Sequence, residues 1–114
     1  MNKDSKFYLR DILAALDSIE HFVGSMNFEE FKTDDKTASA VIRKFEIIGE
    51  ATKKIPEDLR IQYPGIPWKE MAGMRDRLIH LYMDVDIKIV WDTIKNRLPD
   101  LKGKIQKALK QNGG

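Results

Sequence analysis

Apolar residues recur at three- and four-residue steps along most of the chain, which is the helical period. Leu9, Ile12, Leu13, Leu16, Ile19 and Val23 predict a first helix over about residues 6–23. Asp4 or Ser5 is placed to accept a backbone N–H bond at its start, and Gly24 to end it. A short turn, "NFEEF", follows, with Asn27 as its cap. A second long helix is predicted from about residues 33–35 to 55, where Ala38, Val41, Ile42, Phe45, Ile48, Gly49 and Thr52 share one side. Gly49 costs about 1 kcal/mol of helix propensity relative to alanine, and close approach of a neighbouring helix is the structural reason to accept it. The segment "PEDLRIQYPGIPW" is irregular, because Pro56, Pro64 and Pro67 forbid one continuous helix, although residues 57–63 can form one or two turns. A fourth helix starts at Pro67 or Trp68 and is expected to reach about Tyr82. In the last one, Asp84 or Asp86 is the cap, and with Asp86 the pair Val85 and Val90 forms a hydrophobic staple. Its apolar period, from Ile87 to Leu109, survives Pro99, so a kink is expected near residues 95–99 rather than a separate element. No apolar/polar alternation is flanked by hairpin turns. The pattern predicts an all-α fold, an antiparallel bundle of about five helices, three long and two short, in one domain spanning residues 1–114 with residues 110–114 as a frayed tail.

Composition narrows the chemistry. The 114 residues suit one domain, and 42% hydrophobic content suffices for a core. A net charge of +2 is too mild to declare a nucleic-acid binder on its own. Without cysteine there is no disulfide, thiolate zinc site or cysteine nucleophile. Two histidines and no dense carboxylate cluster argue against a dedicated metal site, and no cofactor is expected. No apolar run approaches the ~20 residues of a membrane span. The start, "MNKDSKFYLRD", lacks the apolar core of a signal peptide, so a soluble cytoplasmic protein with no membrane partner is expected.

One stretch departs from this ordinary pattern: "GMRDRLIHLY", residues 73–82. With Trp68 as the origin of a helical wheel, Met71, Ala72 and Ile79 fall within about 60° of it, and Met74, Leu78 and Leu81 extend the apolar arc on one side. Arg75 falls about 20° from Trp68, inside that arc, and Tyr82 lies on the same side. Arg77 points to the polar side with Glu70. Arg77 therefore reads as a solvated charge, whereas Arg75 reads as a guanidinium at a buried surface or cleft that needs an anionic partner. Glu46 or Glu50 of the second long helix can supply that partner, and so can an anionic ligand such as a phosphodiester. Asp76 and His80 are one turn apart, so the carboxylate can fix the imidazole tautomer. His21 has no comparable neighbourhood and reads as structural.

These residues carry a resemblance. Arg75, His80 and Tyr82 match the R-x4-H-x-Y signature of HepT-like proteins, members of the HEPN superfamily, with Asp76 at the polar place after the arginine. "RKFEIIGEATKKIP", "YPGIPWKEMAGMRDRLIHLYMDVD" and "IVWDTIKNRLPDLK" also look like HepT-type segments, and the likeness covers most of residues 43–102. Leu81 stands where a small residue is often found.

The resemblance implies a metal-independent ribonuclease toxin, a homodimer in which motifs of both protomers line one cleft. By that likeness His80 assists proton transfer at the RNA 2′-OH, and Arg75 holds the scissile phosphate. Asp76 orients His80 or Arg75, and the products are a 2′,3′-cyclic phosphate and a 5′-OH. Tyr82 is implied as the acceptor of AMP, transferred from ATP by a minimal, MntA-like nucleotidyltransferase antitoxin. The added phosphodiester charge would neutralise Arg75 and block the RNA path. A noncatalytic helical dimer that binds the nucleotidyltransferase is the alternative, with Arg75 in a structural ion pair. Lys102, Lys104, Lys107 and Lys110 near the C-terminus form either a surface for RNA backbone or a solvated basic face.

Overall fold

In the computed structural model the chain is described over residues 2–74 and 86–112. Among these residues the fold is all-helical. The helices are α1 (Lys3–Val23), α2 (Phe28–Thr33), α3 (Asp35–Lys53), α4 (Glu57–Gln62), α5 (Trp68–Ala72), α6 (Ile87–Asn96) and α7 (Leu98–Gln111).

Helix ends follow side-chain chemistry. Asn2, rather than Asp4 or Ser5, caps α1: its Oδ1 accepts the Ser5 N–H at 2.8 Å. Ser5 is buried, which leaves its own side chain inside the first turn instead of ahead of it. Gly24 ends the helix at φ 53°, a left-handed conformation that disfavours any residue with a Cβ. Asn27 opens α2 with a reciprocal capping box: its side chain accepts from Glu30 N–H at 2.9 Å, and Glu30 accepts from Asn27 N–H at 3.0 Å.

Asp34 caps α3 through the Thr37 N–H at 3.0 Å. That bond, followed by the Thr37 side chain, holds the Asp34 carboxyl below its ordinary value of 3.8. A carboxyl depressed in the folded state stabilises the fold above its unfolded pKa, and that contribution is lost as pH falls through the folded value. Asp34→Asn, which keeps the acceptor oxygen but removes the titration, is expected to flatten the acid limb of a stability-against-pH curve while leaving neutral stability nearly unchanged; chemical denaturation at a series of pH values from neutral down through the carboxylate range checks it.

The opposite end of α3 is finished by a residue of the next helix. Arg60 of α4 donates to the carbonyls of Thr52 (2.9 Å) and Ile55 (3.1 Å). A guanidinium there satisfies orphan carbonyls and meets the negative end of the helix dipole.

The long helices pack as the periodicity requires. Tyr8, near the start of α1, lies under the Lys54 ammonium at the end of α3, 5.5 Å from ring centroid to Nζ, so the two helices run antiparallel. Lys102, near the start of α7, pairs with Asp17 at 2.9 Å and Glu20 at 3.3 Å, in the second half of α1. α7 is therefore antiparallel to α1 as well. Between them lies one core: Leu9, Ile12, Leu16 and Ile19 from α1, Val41, Phe45 and Ile48 from α3, and Ile105 and Ala108 from α7, all closed to solvent. Gly49 is buried in α3, and Thr52, also buried, donates its hydroxyl to Ile48 O at 2.7 Å. At one end of the bundle Phe31 of α2 meets Trp91 of α6, ring centroids 5.3 Å apart.

Two expectations are corrected. The kinked last helix is two helices: α6 stops at Asn96, Arg97 turns at φ −109°, and α7 begins at Leu98 with Pro99 in its first turn. The break is one residue wide: Arg97 donates to Thr93 O and its carbonyl accepts from Leu101 N–H, while Pro99, at the start of α7, brings no N–H to the ladder. At the other end, α7 is helical through Gln111, beyond the point at which fraying was expected. Asn112 anchors it, donating from Nδ2 to Ala108 O at 2.9 Å and to the Tyr63 hydroxyl. Among the described residues no helix is long and apolar enough to cross a membrane.

Candidate active site

The motif segment is bounded by two well-anchored ends. On the N-terminal side, Trp68 starts α5 after Pro67, and its indole Nε1–H donates to Tyr63 O at 3.0 Å. Trp68, Met71 and Met74 are all buried, so the apolar arc of the wheel is occupied up to the residue before Arg75. These three side chains pack within their own protomer and are not an exposed surface awaiting a dimer partner. Half-exposed Ala72 marks the edge of the arc. α5 ends at Ala72, with Gly73 as its C-cap; Met74 is again helical, and the rest of the helix expected to reach Tyr82 lies outside the described residues. On the C-terminal side, Asp86 caps α6, its carboxylate accepting from Ile89 N–H at 3.4 Å.

Arg75, Asp76, His80 and Tyr82 lie outside the described residues, as do Arg77 and Val85. The auxiliary carboxylates fall on α3. Glu46 is half-buried and accepts from Arg43 Nη1 at 3.1 Å, an i,i+3 pair. Glu50 lies one turn further on, at an exposed position.

Around the approach to the motif the structure assembles features that the linear pattern does not single out. Arg97, at the break between α6 and α7, pairs with Glu70 of α5 at 2.6 Å. An open groove of about 940 Å³ runs beside this pair, lined by Glu57, Arg60, Trp68, Lys69, Gly73 and Arg97 among others. A smaller cleft of about 140 Å³ also borders this pair, where Met71, Met74, Leu98, Leu101 and Lys104 meet. The only hint of Arg97 in the sequence is its place just ahead of Pro99, where a break exposes a side chain.

The lysines of the last helix are divided by their partners. Lys102 turns to α1, and its bonds to Asp17 and then Glu20 raise its pKa above the ordinary 10.5. Lys104 reaches Asp100 at 3.0 Å and donates to Gly65 O at 3.0 Å. Lys107 lines a hollow of about 290 Å³ with Lys104, Tyr63 and Ile66. The row is thus neither one uniform basic face nor wholly solvated.

The comparison with known proteins decides the family. The profile of the family described as "Ribonuclease HepT-like" matches residues 12–108, which includes the whole R-x4-H-x-Y segment. The chain belongs to the HepT-like family. Among its relatives, "Probable ribonuclease HepT" of Thermococcus cleftensis is 51% identical over 110 residues, covering 96% of this chain and all of that protein. "Putative RNase MJ0125" of Methanocaldococcus jannaschii is 49% identical over 108 residues, covering 95% of this chain and 93% of that one. A bacterial relative, "Putative RNase TTE0752" of Caldanaerobacter subterraneus, is 38% identical over 109 residues, with 96% and 97% covered. No solved structure matches the HepT-like chain.

Proposed function

We propose that this HepT-like chain is a ribonuclease in which Arg75 and His80 carry the chemistry. The observation that carries the reading is the coincidence of the family match over residues 12–108 with an intact Arg75, Asp76, His80 and Tyr82 constellation. Relatives of nearly the same length that bear ribonuclease names support it.

In this reading an RNA 2′-oxygen attacks the adjacent phosphorus and loses its proton. The bond from phosphorus to the 5′-oxygen breaks, and the departing oxygen takes up a proton to leave as 5′-OH. A 2′,3′-cyclic phosphate remains. His80 serves the proton transfer, since imidazole both accepts and donates protons near neutral pH. Arg75 binds the phosphate through its fork of N–H donors and offsets the charge that builds on it in the transition state. Asp76 orients His80 or Arg75. No step in this scheme requires a metal ion. Glu46 and Glu50, on the neighbouring α3, serve as auxiliary carboxylates that hold Arg75 between turnovers. The active form is a homodimer whose two motif segments face one cleft.

Control of the activity is assigned to Tyr82. A MntA-like nucleotidyltransferase transfers AMP from ATP to the phenol: the Tyr82 oxygen attacks the α-phosphorus, pyrophosphate leaves, and a phosphodiester remains on the tyrosine. The new anion competes with RNA for Arg75. The pair then works as a cytoplasmic toxin and its antitoxin.

Purified protein incubated with RNA and excess EDTA tests the first part. Cleavage with cyclic-phosphate 3′ ends is the expected result, and its absence would return the chain to a noncatalytic partner of the transferase. For the second part, co-expression with a MntA-like nucleotidyltransferase is expected to add the mass of one or more AMP groups. Tyr82→Phe should abolish that gain; an unchanged gain would remove Tyr82 as the acceptor.

A further inference from the structure

We propose that the seam between residues 57–74 and α7 is a binding track for the backbone of single-stranded RNA, which leads the strand toward the motif segment. The inference rests on the ribonuclease reading for its ligand and on the following geometry for its place.

The three hollows already described join end to end. The 940 Å³ groove and the 140 Å³ cleft share Pro67, Glu70 and Arg97. The cleft and the 290 Å³ hollow share Gly65 and Lys104. A cation stands at each stage: Lys69 in the groove, Arg97 at its junction with the cleft, Lys104 at the next junction, and Lys107 in the far hollow. Lys104 and Lys107 are three residues apart and therefore side by side on α7. Met74, which lines the cleft, immediately precedes Arg75 in the chain.

Two of the cations are held by carboxylates that a phosphate can replace. Glu70 takes Arg97, and Asp100 takes Lys104. Both pairs are largely exposed, with side-chain accessibilities of 58% and 34% for the first and 42% and 73% for the second, so opening them costs little. Lys69 and Lys107 make no ion pair among the described residues. Apolar walls accompany the charges: half-exposed Pro67 in the groove, and half-exposed Tyr63 with exposed Pro64 in the hollow. A row of cations that follows a backbone, beside aromatic and apolar surface for the bases, is the usual make-up of a single-strand site. Lys102, on the same helix but bonded to α1, stands off this line and serves as the internal control.

The test uses the full-length chain carrying His80→Ala, so that RNA binds without being consumed, and a fluorescein-labelled single strand of about 12 nucleotides. Anisotropy titrations at several KCl concentrations yield Kd and its salt slope. Removing one cation that neutralises a phosphate of the single strand should flatten the slope by about 0.7. The triple variant Arg97→Gln, Lys104→Gln, Lys107→Gln should thus lose about 2 from the slope and bind at least about 10-fold more weakly near 50 mM KCl. Should the triple variant not fold, the pair Lys69→Gln, Lys107→Gln, which breaks no ion pair, should lose about 1.4. Lys102→Gln should leave Kd and slope as they are.

Unchanged RNA binding in the track variants overturns the proposal, including the case in which those variants instead weaken the grip on a protein partner. An equal loss in Lys102→Gln overturns it too, because diffuse charge then suffices. Cleavage by the parent chain, measured in parallel, separates this result from the ribonuclease reading. Cleavage with unaltered binding in the track variants removes the track alone, and no cleavage with the expected loss of binding removes the catalytic assignment alone.

Discussion

His80→Ala is expected to lower RNA cleavage by about 100- to 10,000-fold, the usual contribution of a positioned proton-transfer group. The large effect follows from the reaction itself: a ribose hydroxyl is a weak nucleophile until its proton has somewhere to go. Arg75→Ala should act through a different term, the charge on the phosphorane-like transition state, and cost on the order of 100- to 1,000-fold. Arg75→Lys keeps the charge but not the two-pronged fit to phosphate oxygens, so it should recover only part of that loss. Gel analysis of a labelled RNA at saturating concentration checks all three, with far-ultraviolet circular dichroism as the control for folding. Full cleavage by His80→Ala would refute the assignment. Trp68, Met71 and Met74 are buried ahead of Arg75, so substitutions at Arg75 and His80 should leave α5 in place.

The largest expected effect on stability comes from Phe31→Ala. Phe31 is closed to solvent and is the one buried residue of the six-residue helix α2. Its ring lies against Trp91 of α6, which also touches Phe28 at 6.0 Å between centroids. Removing it withdraws the apolar anchor of α2 and leaves a cavity beside the indole, at a cost of about 3–5 kcal/mol. For a domain of this size each kcal/mol moves Tm by roughly 4 °C, which makes the expected drop on the order of 10–20 °C. Phe31→Leu keeps most of the apolar volume and should lose less than half as much. Thermal melts followed by circular dichroism decide it, and a Phe31→Ala midpoint within a few degrees of the parent would show that α2 is held by something other than this contact.

The helices were legible wherever a local cause acted. The recurrence of Leu9, Ile12, Leu16 and Ile19 marks a buried stripe whatever packs on it, and all four are in the core. The caps at Asn27 and Asp86 could be read because a capping side chain bonds a backbone N–H only two or three residues away. At the first helix several polar residues stand in a row, and the helix starts at Lys3, ahead of the first apolar residue of the stripe, so Asn2 is the cap. Pro99 announced a disturbance, but the period of apolar residues is the same for one bent helix and for two helices in line; the turn at Arg97 decides between them.

The candidate site divides along the same line. Arg75, Asp76, His80 and Tyr82 declare a chemistry by type and spacing, because all four sit within eight residues of one another and a helix has a known repeat. Arg97 declares nothing by itself. Its partner Glu70 is 27 residues away, and Lys102 meets Glu20 across 82 residues. Such pairs depend on where whole helices lie, and no periodicity in the chain encodes them. By itself the sequence determined the helical class, the core faces, the cap at Asn27, the cap at Asp86 as one of two candidates, and the residues that carry the candidate chemistry, since each of these arises from neighbours within a turn or two. Only the tertiary structure decided that the turn after α3 brings Arg60 back to close it, and that Lys102 is structural while Lys104 and Lys107 line a seam and Arg97 stands beside the approach to the motif, since long-range packing brings those last groups together.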